Sequence, residues 1–172
     1  MKLFFLCFLF SFNAFATLEL SHSGHNLYVD NSQNWELGKD LFGIPFILFS
    51  PQKNSQRSNI SFAHTGAELE LDVKTLKENA SDYQENKKKW ASLHQVEIVK
   101  FLPYRSFLNS HDHRVHSIGM SYIHRNKTYF ETSYYIECKG QIVFSKSLRL
   151  QENESDDQYF HSLINSLDCG VL

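Results

Sequence analysis

The sequence predicts an α+β protein, a twisted antiparallel sheet with one mid-chain helix and one C-terminal helix packed on it. Three observations carry that reading. Three strand-like runs follow one another between Val115 and Leu150, separated by short polar breaks. Two other stretches space their apolar residues three or four apart, as one-sided helices do. Phe and Tyr recur through the C-terminal half, which favours pleated sheet over a helix bundle.

The first element is an export signal rather than part of the fold. Met1 and Lys2 give a short positive segment, an apolar run follows from Leu3 to Phe12, and Ala14-Phe15-Ala16 supplies a small-residue cleavage site. A membrane-spanning helix needs about 20 apolar residues, whereas an export signal needs roughly 7–15. Residues 1–16 therefore read as a cleavable signal peptide and residues 17–172 as a single α+β domain, periplasmic or secreted. Cys7 lies inside the apolar run rather than at its end behind small residues, so it does not read as a lipid anchor.

Without Lys2 the chain carries 16 basic against 19 acidic residues. No cationic field exists of the kind that draws in phosphate backbones, which excludes nucleic acid as an expected partner. The only basic run, Lys87-Lys88-Lys89, is interleaved with Glu78, Asp82 and Glu85 and reads as a solvated helix face. Two cysteines remain outside the signal, Cys138 and Cys169. In an oxidising compartment they are expected to form one disulfide, closing a loop of roughly 30 residues.

Along the mature chain, Thr17 to His22 alternates like a strand, Ser23-Gly24 reads as a turn, and Leu27-Tyr28-Val29 is placed to pair back. Gly43 to Ser50 is an apolar strand with Pro45 at its start or on an edge, because proline cannot donate to a ladder. A polar loop, 52–58, leads to a strand over Asn59 to His64, and Gly66 breaks it. Val73, Leu76, Ala80, Tyr83, Lys87 and Trp90 then share one face of an amphipathic helix, about 73–93, with Asp72 as its N-cap. Strand alternation over Val96 to Phe101 is interrupted at Pro103, and Asn109 to His113 reads as a loop. The meander follows: Val115 to His124, Thr128 to Cys138 and Gln141 to Leu150. In its middle run Phe130, Thr132, Tyr134 and Ile136 form the face expected to be buried. Ser155-Asp156-Asp157 is expected to cap a last helix, about 155–168, whose stripe is Tyr159, Phe160, Leu163, Ile164 and Leu167. Its neighbouring carboxylates read as helix-start charges.

Taken with that order of elements, Asn34-Trp35, Asn59-Ile60 and the helix Leu163-Ile164-Asn165-Ser166-Leu167 resemble the PsbP-like superfamily, including bacterial DcrB-type exported proteins, over roughly residues 33 to 169. The family pattern has glycine where Asn34 stands. The resemblance implies a PsbP-like fold and a non-enzymatic accessory or binding role, with a protein or small ligand in the envelope as partner; fold transfers more readily than function.

Two candidate sites follow from the residues themselves. His111, Asp112, His113 and His116 cluster ahead of the meander, and imidazole with carboxylate is a donor set that zinc takes. In an extended chain His111 and His113 share a side while His116 faces away. A metal-binding protein or metal-dependent hydrolase is thus the alternative to a binding module that needs no cofactor. The bland reading is a polar loop. Trp35, Tyr104, Arg105 and Tyr122 are the candidate binding surface, since exposed aromatics with an arginine are typical contact residues; the competing reading for each is core packing. No nucleophile elbow, Walker loop, dinucleotide fingerprint or His-Glu-x-x-His helix occurs.

Overall fold

The computed structural model describes residues 17–22, 25–51, 57–65, 78, 80–138 and 141–170. The expected signal peptide with Cys7, the expected turns at Ser23-Gly24 and Lys139-Gly140, most of the expected polar loop 52–58, Gly66, and the expected N-cap and start of the mid-chain helix at Asp72 and 73–77 lie outside those residues. Within them the protein is α+β, with ten strands and two helices.

Strands β1 (Thr17–His22) and β2 (His25–Asp30) form the expected N-terminal hairpin. Strands β3 (Glu36–Leu41), β4 (Ile44–Phe49) and β5 (Asn59–Thr65) follow, then α1 (Ala80–His94). The chain continues through β6 (Glu97–Leu108), β7 (Arg114–His124), β8 (Lys127–Cys138) and β9 (Gln141–Leu150). A 3-10 turn, Gln151–Asn153, leads into α2 (Ser155–Ser166), and β10 (Asp168–Cys169) ends the fold. Seven strands form one antiparallel sheet in the order β3-β4-β5-β9-β8-β7-β6, and β1-β2-β10 form a second, smaller one.

The first two strands of the meander, β7 and β8, are tied by a short turn. Arg125 and Asn126 both take positive φ, 49° and 60°, as a two-residue hairpin whose twist matches its strands requires. Proline explains two local departures. Pro45 sits at the start of β4, where Asp40, with φ at 52°, drops out of the β3–β4 ladder. Pro103 does not end its strand, contrary to the expectation. It lies on the edge strand β6 at a register shift between Leu102 and Arg105, where no ladder donor is needed. Asn34, which stands where the resemblance would have glycine, has φ of 53°, a conformation that glycine and asparagine adopt more readily than other residues.

One face of the large sheet packs under α2 and the small sheet. Leu163, Ile164, Phe160 and Tyr159 of α2 meet Leu27 and Val29 of β2 and Phe62, Ile136 and Val143 of the large sheet in a single apolar core. Trp35 is 2% exposed and lies against Tyr159 and Phe160, with ring centroids 4.5 and 5.3 Å away. The face holding Phe130, Thr132, Tyr134 and Ile136 is thus the core side, but the other face is covered as well. Helix α1 lies on it, with Tyr83 against Phe101 and Trp90 against Tyr122. Lys87, the polar position in the stripe of α1, pairs there with Glu131, which is buried in β8.

The start of α2 also differs from expectation. Glu154 occupies the N-cap in helical conformation with no side-chain cap, because the 3-10 turn runs directly into the helix. Asp157 instead binds the buried Arg149 through both carboxylate oxygens. A bidentate pair outweighs the weak field of a helix end.

Candidate functional site

Alternation along β6 separates the residues of the expected binding surface. Arg105 faces the core side of the sheet, opposite Ser117 in register. Tyr104 points to the other face and hydrogen-bonds Nδ1 of His116, whose Nε2 lies 2.9 Å from Glu137. Both nitrogens of His116 are therefore engaged away from His111 and His113. Tyr122 is 8% exposed, stacked on Tyr129 and covered by Trp90. Burial, then the charge of Glu131, pushes its phenol well above the ordinary tyrosine range. Trp35 and Tyr122 are thus core residues on opposite faces, and the four residues do not form one surface. Arg105 alone reaches a concave site.

That site is an open groove of about 720 Å3, bounded by β6, β7, β8 and the exposed side of α2. Ligand pockets typically measure about 300–1,000 Å3. Leu102 and Phe107 supply apolar wall, Thr132 and Tyr134 supply hydroxyls, and Arg105 and His161 stand at the rim. Gly119 keeps the floor low. A Cβ there would lie 2.4 Å from the Glu131 carbonyl oxygen and 3.1 Å from Leu102 Cδ1. Burial pushes the Tyr134 phenol up and hydrogen bonding to Ser147 offsets that only in part, so Tyr134 meets a ligand as a neutral group. Asp157 at the groove wall is neutralised by Arg149. Among the described residues Arg105 is exposed and has no ion-pair partner.

The second candidate lies where the turn between β6 and β7 docks on the C-terminal end of α2. Asn109, 5% exposed, organises it. Its Oδ1 accepts from the backbone N–H groups of His111 and His113, both at 3.0 Å, and its Nδ2 donates to the Leu167 carbonyl at 2.7 Å. Ser110 donates its backbone N–H and its hydroxyl to the Asn165 carbonyl, at 3.0 and 2.6 Å. Carbonyls left unpaired at a helix end are satisfied in this way.

The turn holds His111 and His113 on one side, as the spacing predicts. His113 Nε2 lies 3.1 Å from Asp168 Oδ1, and His111 Nδ1 lies 3.8 Å from Asp168 Oδ2. Burial pushes the Asp168 carboxyl up, but the hydrogen bond with His113, the charge of His111 and the Cys169 N–H outweigh it, leaving the carboxyl below its ordinary range. Asp112, exposed and at φ of 61°, forms the tip of the turn and is not brought to this cluster. Behind His113 lies the disulfide Cys138–Cys169, joining β8 to β10 with a Cα–Cα distance of 5.9 Å. Asp168, Cys138 and Cys169 are absent from the histidine set read from sequence, since they arrive from 22 or more residues downstream of His116.

A seven-stranded sheet with a helix on each face and a short second sheet make an α+β fold of PsbP-like type, with a groove beside the C-terminal helix. Comparison with solved structures gives the same fold. The chain is similar to cyanobacterial PsbP (CyanoP) from Synechocystis sp. PCC 6803, with a TM-score of 0.57 and 8% identity over 90% of this chain and 92% of that one. It is similar also to LpqN of Mycobacterium tuberculosis, a protein involved in cell envelope biogenesis, with a TM-score of 0.56 and 12% identity over 92% and 93% of the two chains. No protein-family model and no curated protein matches the sequence. No helix among the described residues is long and apolar enough to cross a membrane.

Proposed function

We propose that the protein is an exported, non-enzymatic accessory module of the cell envelope that binds a small amphipathic anion in the groove between β6–β8 and α2. The observation that carries the reading is Arg105, a guanidinium without an ion-pair partner among the described residues, set on a concave wall of apolar and hydroxyl groups. An unpaired arginine beside apolar surface suits a carboxylate, sulfonate or phosphate on an apolar body. Export rests on the N-terminal charge, apolar run and Ala-Phe-Ala site. The accessory role draws on the PsbP-like fold, shared with a protein of envelope biogenesis.

Anilinonaphthalenesulfonate, an aromatic anion, tests the groove directly. The folded protein, residues 17–172, is expected to bind it saturably with enhanced fluorescence, and Arg105→Glu to weaken binding by at least about tenfold while melting like the wild type. Equal binding by wild type and Arg105→Glu contradicts the proposal.

A further inference from the structure

We propose that Cys138, Cys169 and His113 form a zinc site when their disulfide is reduced, with Asp168 as the carboxylate that orients the His113 ring. The site is distinct from the groove and does not depend on it. One ligand atom from each of His113, Cys138 and Cys169 lies within 4.8 Å of the other two. Three protein ligands of this kind, Cys2His, are a known zinc set. The cysteines are 1% and 7% exposed and the His113 side chain 11%, so the three donors converge in a dry environment where thiolates are stabilised by a cation and little else. The Asp168 carboxylate is 3.1 Å from His113 Nε2 and fixes the orientation of the ring.

Backbone geometry serves both states. A Cα–Cα distance of 5.9 Å falls in the range that a disulfide spans. Two thiolates on one tetrahedral ion with bonds of about 2.3 Å stand roughly 3.7 Å apart, which rotation about the Cα–Cβ bonds supplies. The donors also sit on anchored chain. His113 is fixed by Asn109, Cys138 ends β8 opposite Gln141, and Cys169 pairs with Leu27. The donor set differs from the one expected from the sequence. His113 is retained, while His116 is committed to Tyr104 and Glu137 on the opposite face.

The chemistry balances with a dithiol as reductant. Its thiolate attacks one sulfur of the Cys138–Cys169 bond, a mixed disulfide forms, and its second thiol resolves that bond. The dithiol is oxidised to its own disulfide, and its two electrons and two protons appear as two cysteine thiols. Zinc then displaces both thiol protons to solvent and takes neutral imidazole from His113. In an oxidising compartment the bridge holds β8 to β10; after reduction the ion holds the same junction.

Cobalt(II) serves as a spectroscopic stand-in for zinc. Protein reduced by a phosphine and freed of it is expected to take up one cobalt with thiolate-to-cobalt charge-transfer absorption, displaced by zinc, whereas the oxidised protein shows none. His113→Ala is expected to weaken uptake by at least about tenfold and Asp168→Asn by about 10–100-fold. A reduced, folded protein without that absorption, or a His113→Ala variant with unchanged affinity, overturns the proposal. Should reduction unfold the protein, circular dichroism gives the readout: zinc must restore the folded spectrum of the reduced wild type and fail to restore that of His113→Ala, and failure with the wild type overturns the proposal equally.

Discussion

At the scale of single residues, the histidine turn works through one carboxylate. Asp168 is held below its ordinary value of 3.8, so its ionised form is favoured by folding. The sign follows from linkage. A lowered native value gives stability that is complete above the unfolded value near 3.8 and is lost as pH falls through the native one. The melting temperature of wild-type protein is therefore expected to fall more steeply than that of Asp168→Asn as pH drops from 5 toward 3, measured by circular dichroism; parallel profiles contradict the assignment. Some of this was legible in the sequence. The spacing of His111, His113 and His116 already sorted the first two from the third, because period two is a property of any extended chain. Asp168 was not, since the only thing that brings it to His113 is the docking of the 109–113 turn on the end of α2 through Asn109 and Ser110.

Among the elements, α1 shows how a polar residue in an apolar stripe announces its partner. Lys87 departs from the pattern of Tyr83 and Trp90 because Glu131 waits beneath it on β8. Their side chains are 19% and 10% exposed, and Lys146 reaches the same carboxylate only at 3.8 Å. Lys87→Met alone is expected to destabilise by about 1–3 kcal/mol in denaturant unfolding, since it leaves the Glu131 carboxylate short of its main partner. The double variant Lys87→Met/Glu131→Leu is expected to recover most of that loss, because a buried pair replaced by apolar groups is often near neutral. Additive losses contradict this account of the helix. The meander and α2 were readable from strict period two and from a five-residue apolar stripe. Strand β3 was not: Glu-Leu-Gly-Lys-Asp-Leu lacks alternation, and it forms a strand because the Phe42-Gly43 turn, with φ of 55° and 77°, folds it onto apolar β4. The continuation of β6 through Pro103 was hidden likewise, because only the sheet order shows that β6 is an edge.

For the whole molecule, the decisive feature is that the sheet is covered unequally on its core side. The small sheet and α2 fill one region, while the part toward β6 stays open as the groove. A hint was present in β7, where Ser117, Gly119 and Ser121 alternate on one face in place of the large residues that a filled core takes. A sequence shows that such a face is thinly packed; the path of α2 across the sheet decides where space remains. Trp35, read as a surface contact, is buried under α2 and Tyr122 under α1 on the opposite face, while Arg105 lies where the core side is open and has no ion-pair partner among the described residues. The disulfide then ties the far end of the same core, closing a separation of 31 residues, and its loop entropy contributes about 3–4 kcal/mol.

The location of binding is open to an amide NMR titration of the protein, residues 17–172, with anilinonaphthalenesulfonate. Shifts are expected to concentrate at Leu102 and Tyr104 to Phe107 of β6, Ser117 and Gly119 of β7, Thr132 and Tyr134 of β8, and Asp157 and His161 of α2. Shifts centred instead on the α1 face, or spread evenly over the sheet, would contradict it.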